Sequence, residues 1–159
     1  MRSIENGLRI ERLANHPEVI PVLVAWFKRE WSSYYGADGP SDAGEDLRAF
    51  ASGEGLPVGV VAFCDGELCG TAALKAESIR TRAHFGPWVA AGLVAPEYRR
   101  KGIGAALVGE LETIARDMGY PAIYSGTESA TGILDRRGWE FLERLEYDGQ
   151  EISIYRLEL

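Results

Sequence analysis

The stretch from residue 90 to residue 107 constrains the fold more than any other part of the chain. It runs as an apolar strand, a proline, a cationic turn with two glycines and the first turns of a helix. Gly102 and Gly104 lack a Cβ atom, so the backbone can turn tightly and an anion can come close to its amides. The first four N–H groups of a helix are unpaired, and the helix dipole favours negative charge beside them. The segment is therefore predicted to bind a phosphate group.

Two other glycine-rich phosphate motifs fit the segment less well. A dinucleotide-binding fold requires Gly-x-Gly-x-x-Gly or Ala, but Leu107 stands at the third position and an acidic ribose ligand near the end of the next strand is missing. The pattern Gly-x-x-x-x-Gly-Lys followed by Ser or Thr does not occur. An ordinary surface turn with a solvated basic run is the remaining alternative. The formal net charge of −7 makes a cluster of three consecutive cations harder to explain in that way.

The pattern Arg99-x-x-Gly102-x-Gly104, with Val94-x-Pro96 just upstream, resembles the pyrophosphate loop of the GNAT superfamily. These are N-acetyltransferases that use acetyl-coenzyme A. The order strand, two helices, hairpin, strand, long helix, strand, helix, closing hairpin resembles that family along nearly the whole chain. The resemblance implies an α/β fold of the GNAT type, with a central, mostly antiparallel, splayed mixed sheet flanked by helices. It also implies one domain over residues 1–159.

The resemblance implies which backbone groups would hold acetyl-CoA. In that family the strand before the loop splays from its neighbour after a bulge, and the pantetheine arm lies in the wedge. The corresponding residues here are Gly92, Leu93 and Val94, with the Gly92 amide polarising the thioester carbonyl. A glycine inside a strand also fits a bulge or a close backbone approach. The implied diphosphate contacts are the amides of Arg99, Arg100, Lys101, Gly102, Ile103, Gly104 and Ala105.

A second family signature, Asn-x-x-Ala-x-x-Leu-Tyr-x-x-x-Gly-Phe, fits with departures. Aligning its end on Gly138-Trp139 puts Thr127 at the Asn position and Leu134 where the Tyr should be. The resemblance therefore assigns Thr127 and Leu134 to the cofactor site. The usual Tyr donates a proton to the departing thiolate, so the acid here is either Tyr124 or water helped by the field of the helix end.

The general base is also open. In histone-type relatives a Glu lies on the splayed strand at the position that Trp88 occupies here. Glu30, Glu128, His84 and a chain of water molecules are the alternatives. Because Leu134 and Trp88 replace residues that carry chemistry, a non-catalytic acyl-CoA sensor or interaction module is the alternative function. A nucleotide binder of another class is a further alternative.

The missing Glu favours a weakly basic acceptor. Deprotonating a lysine amine of pKa about 10.4 at pH 7 costs about 4–5 kcal/mol, whereas an α-amine near 7.8 costs about 1 kcal/mol. A site without a strong base is therefore predicted to acetylate an α-amine of a peptide or small molecule. Trp31, Tyr34 and Tyr35 either wall the acceptor site or simply pack.

The two cysteines lie on either side of a predicted Asp65-Gly66 hairpin turn. In a regular hairpin Cys69 faces Ala62, so Cys64 and Cys69 are diagonal neighbours at about 7–8 Å, too far apart for an undistorted disulfide. We expect thiols and direct attack by the amine in a ternary complex, without an acyl-enzyme.

The same register places Val60, Ala62, Cys69 and Ala73 on one face and Val61, Phe63, Leu68, Ala72 and Leu74 on the other.

Other classes are disfavoured by composition. The pI of about 4.9 and the lack of an extended basic face argue against nucleic acid and favour cationic amines. Apolar runs are short of the ~20 residues of a membrane span, and the N-terminal residues do not resemble a signal peptide, so we expect a cytoplasmic protein. No metal is expected, and monomer and homodimer both stay open.

Asn15 and Glu18 resemble a capping box for a helix over 17–33, and Asp42 resembles the cap of a second, short helix.

Overall fold

The computed structural model describes residues 2–4, 7–53 and 55–159. The strands are β1 (Arg2–Ile4), β2 (Leu8–Arg12), β3 (Val58–Cys64), β4 (Glu67–Lys75), β5 (Trp88–Val94), β6 (Ala122–Thr127), β7 (Glu140–Tyr147) and β8 (Gln150–Glu158). The α-helices are α1 (Ile20–Glu30), α2 (Ser32–Tyr35), α3 (Ala43–Phe50), α4 (Ile103–Asp117) and α5 (Thr131–Arg136). Short 3-10 turns lie at Leu13–Asn15, Pro17–Val19, Arg80–Arg82 and Pro96–Tyr98.

These strands form one sheet in the order β1-β2-β3-β4-β5-β6-β8-β7. The pair β5–β6 is parallel, and the other neighbouring pairs in that order are antiparallel. The predicted mixed, mostly antiparallel sheet is confirmed. The connection between the two parallel strands contains α4, as a parallel crossover requires.

Apolar side chains cover the sheet in three clusters. In the first, α4 contributes Leu107 and Leu111 against Val60 and Leu74 of the central hairpin. In the second, helices α1 to α3 cover β3 to β5 with side chains such as Leu23, Phe27 and Leu47. The third joins Ile79 and Trp88 to Ile152 and Ile154 of β8. With both faces of the central hairpin covered, the strands need apolar residues at consecutive positions, which the sequence supplies.

The central hairpin turns at Asp65-Gly66 as predicted, and Leu68 and Cys69 lie on their predicted faces, but the predicted faces are wrong for the later residues of β4. Ala62 pairs with Gly70 instead of Cys69, because a register shift follows the Phe63–Leu68 pair. Cys69 is the extra residue of this β-bulge. After it, every side chain in β4 points to the face opposite the predicted one. Ala72 and Leu74 therefore pack with Val60, and Ala73 packs with Val61.

The start of the first helix also differs from the prediction. Asn15 ends a 3-10 turn, and α1 begins at Ile20 after Val19, which makes no side-chain capping bond. The capping box at Asn15 is therefore wrong, and the first turn is set by Pro17 in a second 3-10 turn. The cap of α3 is confirmed, because the Asp42 carboxylate accepts a hydrogen bond from the Glu45 amide at 2.9 Å.

The sheet opens between β5 and β6. Trp88 pairs with Tyr124, and from there the two strands diverge, with the Ser125 hydroxyl donating to the Val89 carbonyl at 3.0 Å across the gap. On the other side of β5, the pairs Thr71–Leu93 and Ala73–Ala90 leave two residues of β5 opposite Ala72. The predicted splay and bulge are both confirmed. They lie directly before the glycine-rich turn.

Candidate functional site

The turn before α4 leaves a run of backbone donors unused. The amides of Tyr98 and Arg99 donate to the carbonyls of Ala95 and Pro96 at 2.9 and 3.3 Å, and the Ala106 amide donates to Gly102. Within the described chain, the amides of residues 100 to 105 have no hydrogen-bond acceptor. The predicted set began at Arg99, and this is wrong because the 3-10 turn takes up that amide. Six consecutive donors remain for an anion.

The backbone of this turn is left-handed at two positions. Arg100 has φ of 64° and Gly102 has φ of 82°. A left-handed residue with a Cβ costs roughly 1–2 kcal/mol, so Arg100 is held in a strained conformation. Such strain is found where a loop must present its amides in a fixed direction. A Cβ at Gly102 would meet no atom within 4 Å, so glycine is required here by the backbone angle and not by crowding.

The first of two clefts, which we call the loop cleft, lies over these amides and has a volume of about 450 Å³. Its lining combines the turn, the end of β5, the end of α1 and α5. The lining residues are Glu30, Gly92, Leu93, Val94, Tyr98, Arg99, Arg100, Gly102, Ile103, Gly104, Ala105, Ser129, Ala130, Ile133 and Arg136. Three guanidinium groups against one carboxylate give this cleft a positive excess inside an acidic protein.

The second cleft, which we call the splay cleft, lies between the diverging strands and has a volume of about 310 Å³. Apolar side chains and backbone dominate its wall. The lining residues are Trp31, Ala72, Val89, Ala90, Ala91, Gly92, Leu93, Val94, Gly104, Leu107, Val108, Ser125, Gly126, Thr127, Glu128, Ser129, Ala130, Ile133 and Leu134.

The two clefts share part of their walls, so they form one continuous channel. The shared residues are Gly92, Leu93, Val94, Gly104, Ser129, Ala130 and Ile133. The channel is cationic with open amides at one end and apolar at the other. It suits an elongated ligand that carries phosphates at one end and a thin apolar arm at the other.

Gly92 stands at the centre of the channel. It is exposed, and a Cβ built on it would meet no atom within 4 Å. The left-handed residue of the bulge is its neighbour Ala91, with φ of 55°, so Gly92 is not needed for the backbone to bend. The space beside Gly92 is open, which agrees with a close approach by a ligand. That its amide polarises a carbonyl stays a prediction.

The basic residues of the turn point in different directions. Arg99 Nε donates to the Val94 carbonyl at 2.9 Å, and Arg99 Nη2 lies 3.5 Å from Glu30. Lys101 Nζ lies over the Tyr98 ring at 5.6 Å and is not part of the cleft lining. Arg100 and Arg136 line the loop cleft. The guanidinium of Arg99 thus joins the turn to α1 and to the end of β5.

Thr127 and Leu134 both line the splay cleft, and their assignment to the cofactor site stays a prediction. The Thr127 hydroxyl accepts hydrogen bonds from the amides of Ser129 and Ala130 at 3.2 and 2.8 Å, so it fixes the start of α5. Leu134 is buried in the core cluster. Neither side chain offers a proton donor to the channel comparable to the Tyr of the family signature.

Tyr124 lies outside the lining of both clefts. Its ring stacks on Phe85 at 4.5 Å between centroids and lies 5.6 Å from the Trp88 ring. Trp88 is fully buried, and its indole N–H donates to the Phe85 carbonyl at 2.9 Å. The assignment of Tyr124 as the acid stays a prediction, and no contact of its hydroxyl supports it.

The candidate general bases lie at different places relative to the two clefts. Glu128 is exposed and lines the splay cleft, as Trp31 does. Glu30 lines the loop cleft and is 45% exposed, beside Arg99. His84 is exposed on the segment before β5, its ring lies tilted against that of Phe85 at 4.3 Å between centroids, and it lies outside both linings. Glu128 is thus the candidate base beside the splayed strands.

The cysteine thiols lie away from the channel. Cys69 is buried, its Sγ donates to the Ala62 carbonyl at 3.4 Å, and burial raises its pKa to about 11. At neutral pH this sulfur is a thiol and a poor nucleophile. Neither Cys64 nor Cys69 forms a disulfide. Their placement agrees with attack by the acceptor amine without a covalent enzyme intermediate.

The aromatic residues after α1 divide between cleft and core. Trp31 lines the splay cleft, and Tyr34 is 46% exposed. Tyr35 is buried and donates its hydroxyl to Asp46 at 2.8 Å; burial, with that bond, raises its pKa. Tyr35 therefore fixes α2 to α3, whereas a contact between Trp31 and an acceptor stays a prediction.

Neither a clustered metal site nor a membrane-spanning helix is found among the described residues. Nowhere in 2–4, 7–53 and 55–159 do three or more His, Cys, Asp or Glu side chains come together as a metal site. No α-helix in the same residues has the length and apolar character to cross a bilayer.

One known protein family matches the greater part of this chain. The model of the acetyltransferase (GNAT) family matches residues 21–144. The chain belongs to the GNAT family. The resemblance seen in the glycine-rich turn and the element order is confirmed. No curated protein sequence matched in the corresponding sequence comparison.

Solved structures show the same GNAT fold at low sequence identity. An aminoglycoside 6'-N-acetyltransferase complexed with coenzyme A has a TM-score of 0.76 at 17% identity, covering 94% of this chain and 96% of that one. The protein yncA from Salmonella typhimurium, with its cofactor acetyl-CoA, has a TM-score of 0.72 at 17% identity and covers 96% and 94%. The ribosomal L7/L12 alpha-N-protein acetyltransferase RimL, in complex with coenzyme A, has a TM-score of 0.68 at 13% identity, with the same two coverages.

Sequence reasoning missed several cleft residues. Arg136 adds a cation to the loop cleft from α5, and Ser125 and Ser129 add polar groups to the channel. No motif marks these positions, because the place of Arg136 depends on how α5 packs on α4 and that of Ser125 on how β6 diverges from β5. The alignment that placed Leu134 did carry a signal for Ile133, one residue earlier, which lines both clefts.

Proposed function

We propose that this GNAT protein is an N-acetyltransferase that moves an acetyl group from acetyl-CoA to a primary amine. The observation that carries the proposal is the continuous channel. Its six open amides, at residues 100 to 105, and the apolar gap between β5 and β6 share the wall formed by Gly92, Leu93 and Val94.

The channel accommodates the two chemically different parts of acetyl-CoA. The diphosphate would accept hydrogen bonds from the amides of residues 100 to 105, at the positive end of the α4 dipole. Arg100 and Arg136 would add charge there. The thioester arm would lie along Gly92 to Val94 in the splay cleft. This placement agrees with the open space beside Gly92.

The transfer itself follows from positioning. The neutral amine nitrogen attacks the thioester carbonyl carbon, a C–N bond forms, the C–S bond breaks, and coenzyme A leaves as a thiol after gaining a proton. A backbone N–H at the bulge would stabilise the negative charge that develops on the carbonyl oxygen. Holding the amine and the thioester in one ternary complex would add to the rate enhancement by orienting them for attack.

Glu128 is our candidate for the group that accepts the amine proton, directly or through water. It is the carboxylate on the splay cleft, whereas Glu30 is beside Arg99 at the loop cleft. An exposed carboxylate is a weak base, so it is matched to an amine that is partly neutral at pH 7. We therefore propose an α-amine of a peptide or small molecule as the acceptor, with net positive charge to suit the acidic protein.

A two-step experiment tests the function. Calorimetric titration with acetyl-CoA measures binding, and a thiol-release assay over α-amino, ε-amino and polyamine acceptors measures turnover. Binding with thiol release that is faster for α-amines at neutral pH supports the proposal. Binding without release over the whole panel supports the sensor instead. Preference for ATP or NAD over coenzyme A would overturn the placement of the ligand.

A further inference from the structure

Helix α5 forms one wall of the channel although it has little stability of its own. It is six residues long, and isolated helices shorter than about 12 residues are marginal in water. Its Ile133 lines both clefts, and the Ile133 Cδ1 lies 3.0 Å from the position that a Cβ on Gly104 would take. The width of the channel therefore depends on where other residues hold α5.

The end of α5 is held by a carboxylate on α4. Glu112 is 7% exposed and accepts three hydrogen bonds. Arg137 donates through Nε at 2.7 Å and through its Nη2 at 2.9 Å, and the Trp139 indole donates at 3.0 Å. Burial raises the pKa of Glu112, but the bonds from Arg137 and Trp139 outweigh it, so the pKa is lowered and the group stays ionised.

The face of α4 next to this carboxylate is shaped for the guanidinium. A Cβ on Gly109 would lie 2.9 Å from Arg137 Nη2 and 3.2 Å from its Cζ. Glycine inside a helix lowers helix stability compared with alanine. Its presence here leaves space for the planar group to reach Glu112 with both nitrogens, which is the strong geometry for this pair.

We infer that Glu112 is a positioning residue of the cofactor site, which acts through Arg137 and Trp139 to hold α5 and Ile133 against the channel. The inference rests on the proposed binding of acetyl-CoA. It assigns Glu112 no contact with the ligand. Its effect is on cofactor affinity, because a wall that moves outward loses contacts with the ligand along both clefts.

The test is calorimetric titration of coenzyme A into the wild type, Glu112→Gln and Gly109→Ala, well below their unfolding temperatures. Glu112→Gln keeps the shape but removes the charge, and the Kd should rise about tenfold, within the range of mutations that act through a packed network. Gly109→Ala displaces Arg137 while improving helix propensity, and should also raise the Kd. The binding stoichiometry should stay at the wild-type value in both.

The matched control is Glu143→Gln, which removes another bidentate pair, with Arg82 at 2.8 and 2.6 Å, outside the linings of both clefts. Its Kd should equal that of the wild type. A folded Glu112→Gln or Gly109→Ala variant with wild-type Kd overturns the inference, even if its Tm is lowered, because a purely structural role changes stability without changing affinity. Failure of the wild type to bind coenzyme A overturns the proposed function, and the inference with it.

Discussion

Trp88 of β5 pairs with Tyr124 of β6, and beyond that pair the two parallel strands separate. On the opposite edge of β5, Ala91 and Gly92 together face Ala72 in a bulge. The divergence and the bulge turn the end of β5 towards a channel instead of towards a neighbouring strand. The same strand then leads directly into the turn with open amides, so one segment positions both ends of the proposed ligand.

Gly92→Ala should lower the affinity for acetyl-CoA by about tenfold or more, because the methyl group would occupy the channel where the thioester arm is proposed to lie. The protein itself has room for the methyl group, since no atom lies within 4 Å of the added Cβ and φ at Gly92 is not positive. The Tm should stay the same or rise, as for glycine to alanine changes at compatible sites. Calorimetry and thermal unfolding check both. Unchanged affinity with unchanged Tm would contradict the placement of the arm.

Arg136→Gln should weaken coenzyme A binding, by a factor that is larger at low salt than at high salt. Arg136 lines the loop cleft, and the contribution of an exposed charge to the binding free energy is screened by ions. The matched control is Arg116→Gln, an exposed arginine near the end of α4 outside both linings. Titrations at two ionic strengths make the comparison. Equal losses in the two variants would show that only net charge matters.

Glu128→Gln should lower kcat with an active amine acceptor and leave the Kd for coenzyme A close to the wild-type value. Its carboxylate lines the splay cleft but lies outside the lining of the loop cleft. Loss of a general base typically costs about 10²–10⁴-fold in rate. Glu30→Gln is the comparison, because Glu30 lines the other cleft. If only Glu30→Gln slows turnover, the proton acceptor is Glu30.

The pH dependence of stability should show one contribution centred on His16. Its ring nitrogens are hydrogen-bonded to Glu11 and, at 3.0 Å, to Glu18. The bond to Glu11, then that to Glu18, raises the pKa of His16 despite opposing desolvation. The bond from His16 lowers the pKa of Glu11, and the backbone bond, followed by that from His16, lowers the pKa of Glu18.

The stability that these groups contribute is lost both when the pH rises and when the pH falls. A raised histidine pKa stabilises the fold fully below its ordinary value of 6.5, and this stabilisation is lost as the pH rises through the raised value. The lowered carboxylate pKa values stabilise the fold above 4.5, and this is lost as the pH falls through them. The Tm difference between wild type and His16→Asn should therefore be largest between pH 4.5 and 6.5 and should shrink on both sides. A difference independent of pH would contradict this.

The sequence predicted those features that depend on local residue types. The turn at residues 99 to 104 and the hairpin turn at Asp65-Gly66 each contain a glycine at positive φ. At the end of α4, the amides of Gly119 and Tyr120 donate back to Arg116 and Ala115, which is the capping geometry that a glycine after a helix permits.

The failures are features that depend on tertiary contacts. No local pattern marks the bulge at Cys69, which reverses the faces of β4, because the shift is set by pairing with β3. The Arg99 amide is a different case, because a local 3-10 turn pairs it with the Pro96 carbonyl and the Val94 carbonyl accepts a bond from its side chain. The place of Arg136 at the loop cleft depends on how α5 packs on α4, where Arg137 bonds to Glu112, 25 residues earlier in the chain.

The most direct test of the proposed ligand placement is a titration of the ¹⁵N-labelled protein with coenzyme A, followed through its backbone amide resonances. The account predicts that the amides of residues 100 to 105 shift most, with a second group of shifts at Gly92, Leu93 and Val94. Shifts that are absent at saturating coenzyme A, or that cluster on another surface while these amides stay unchanged, would contradict it.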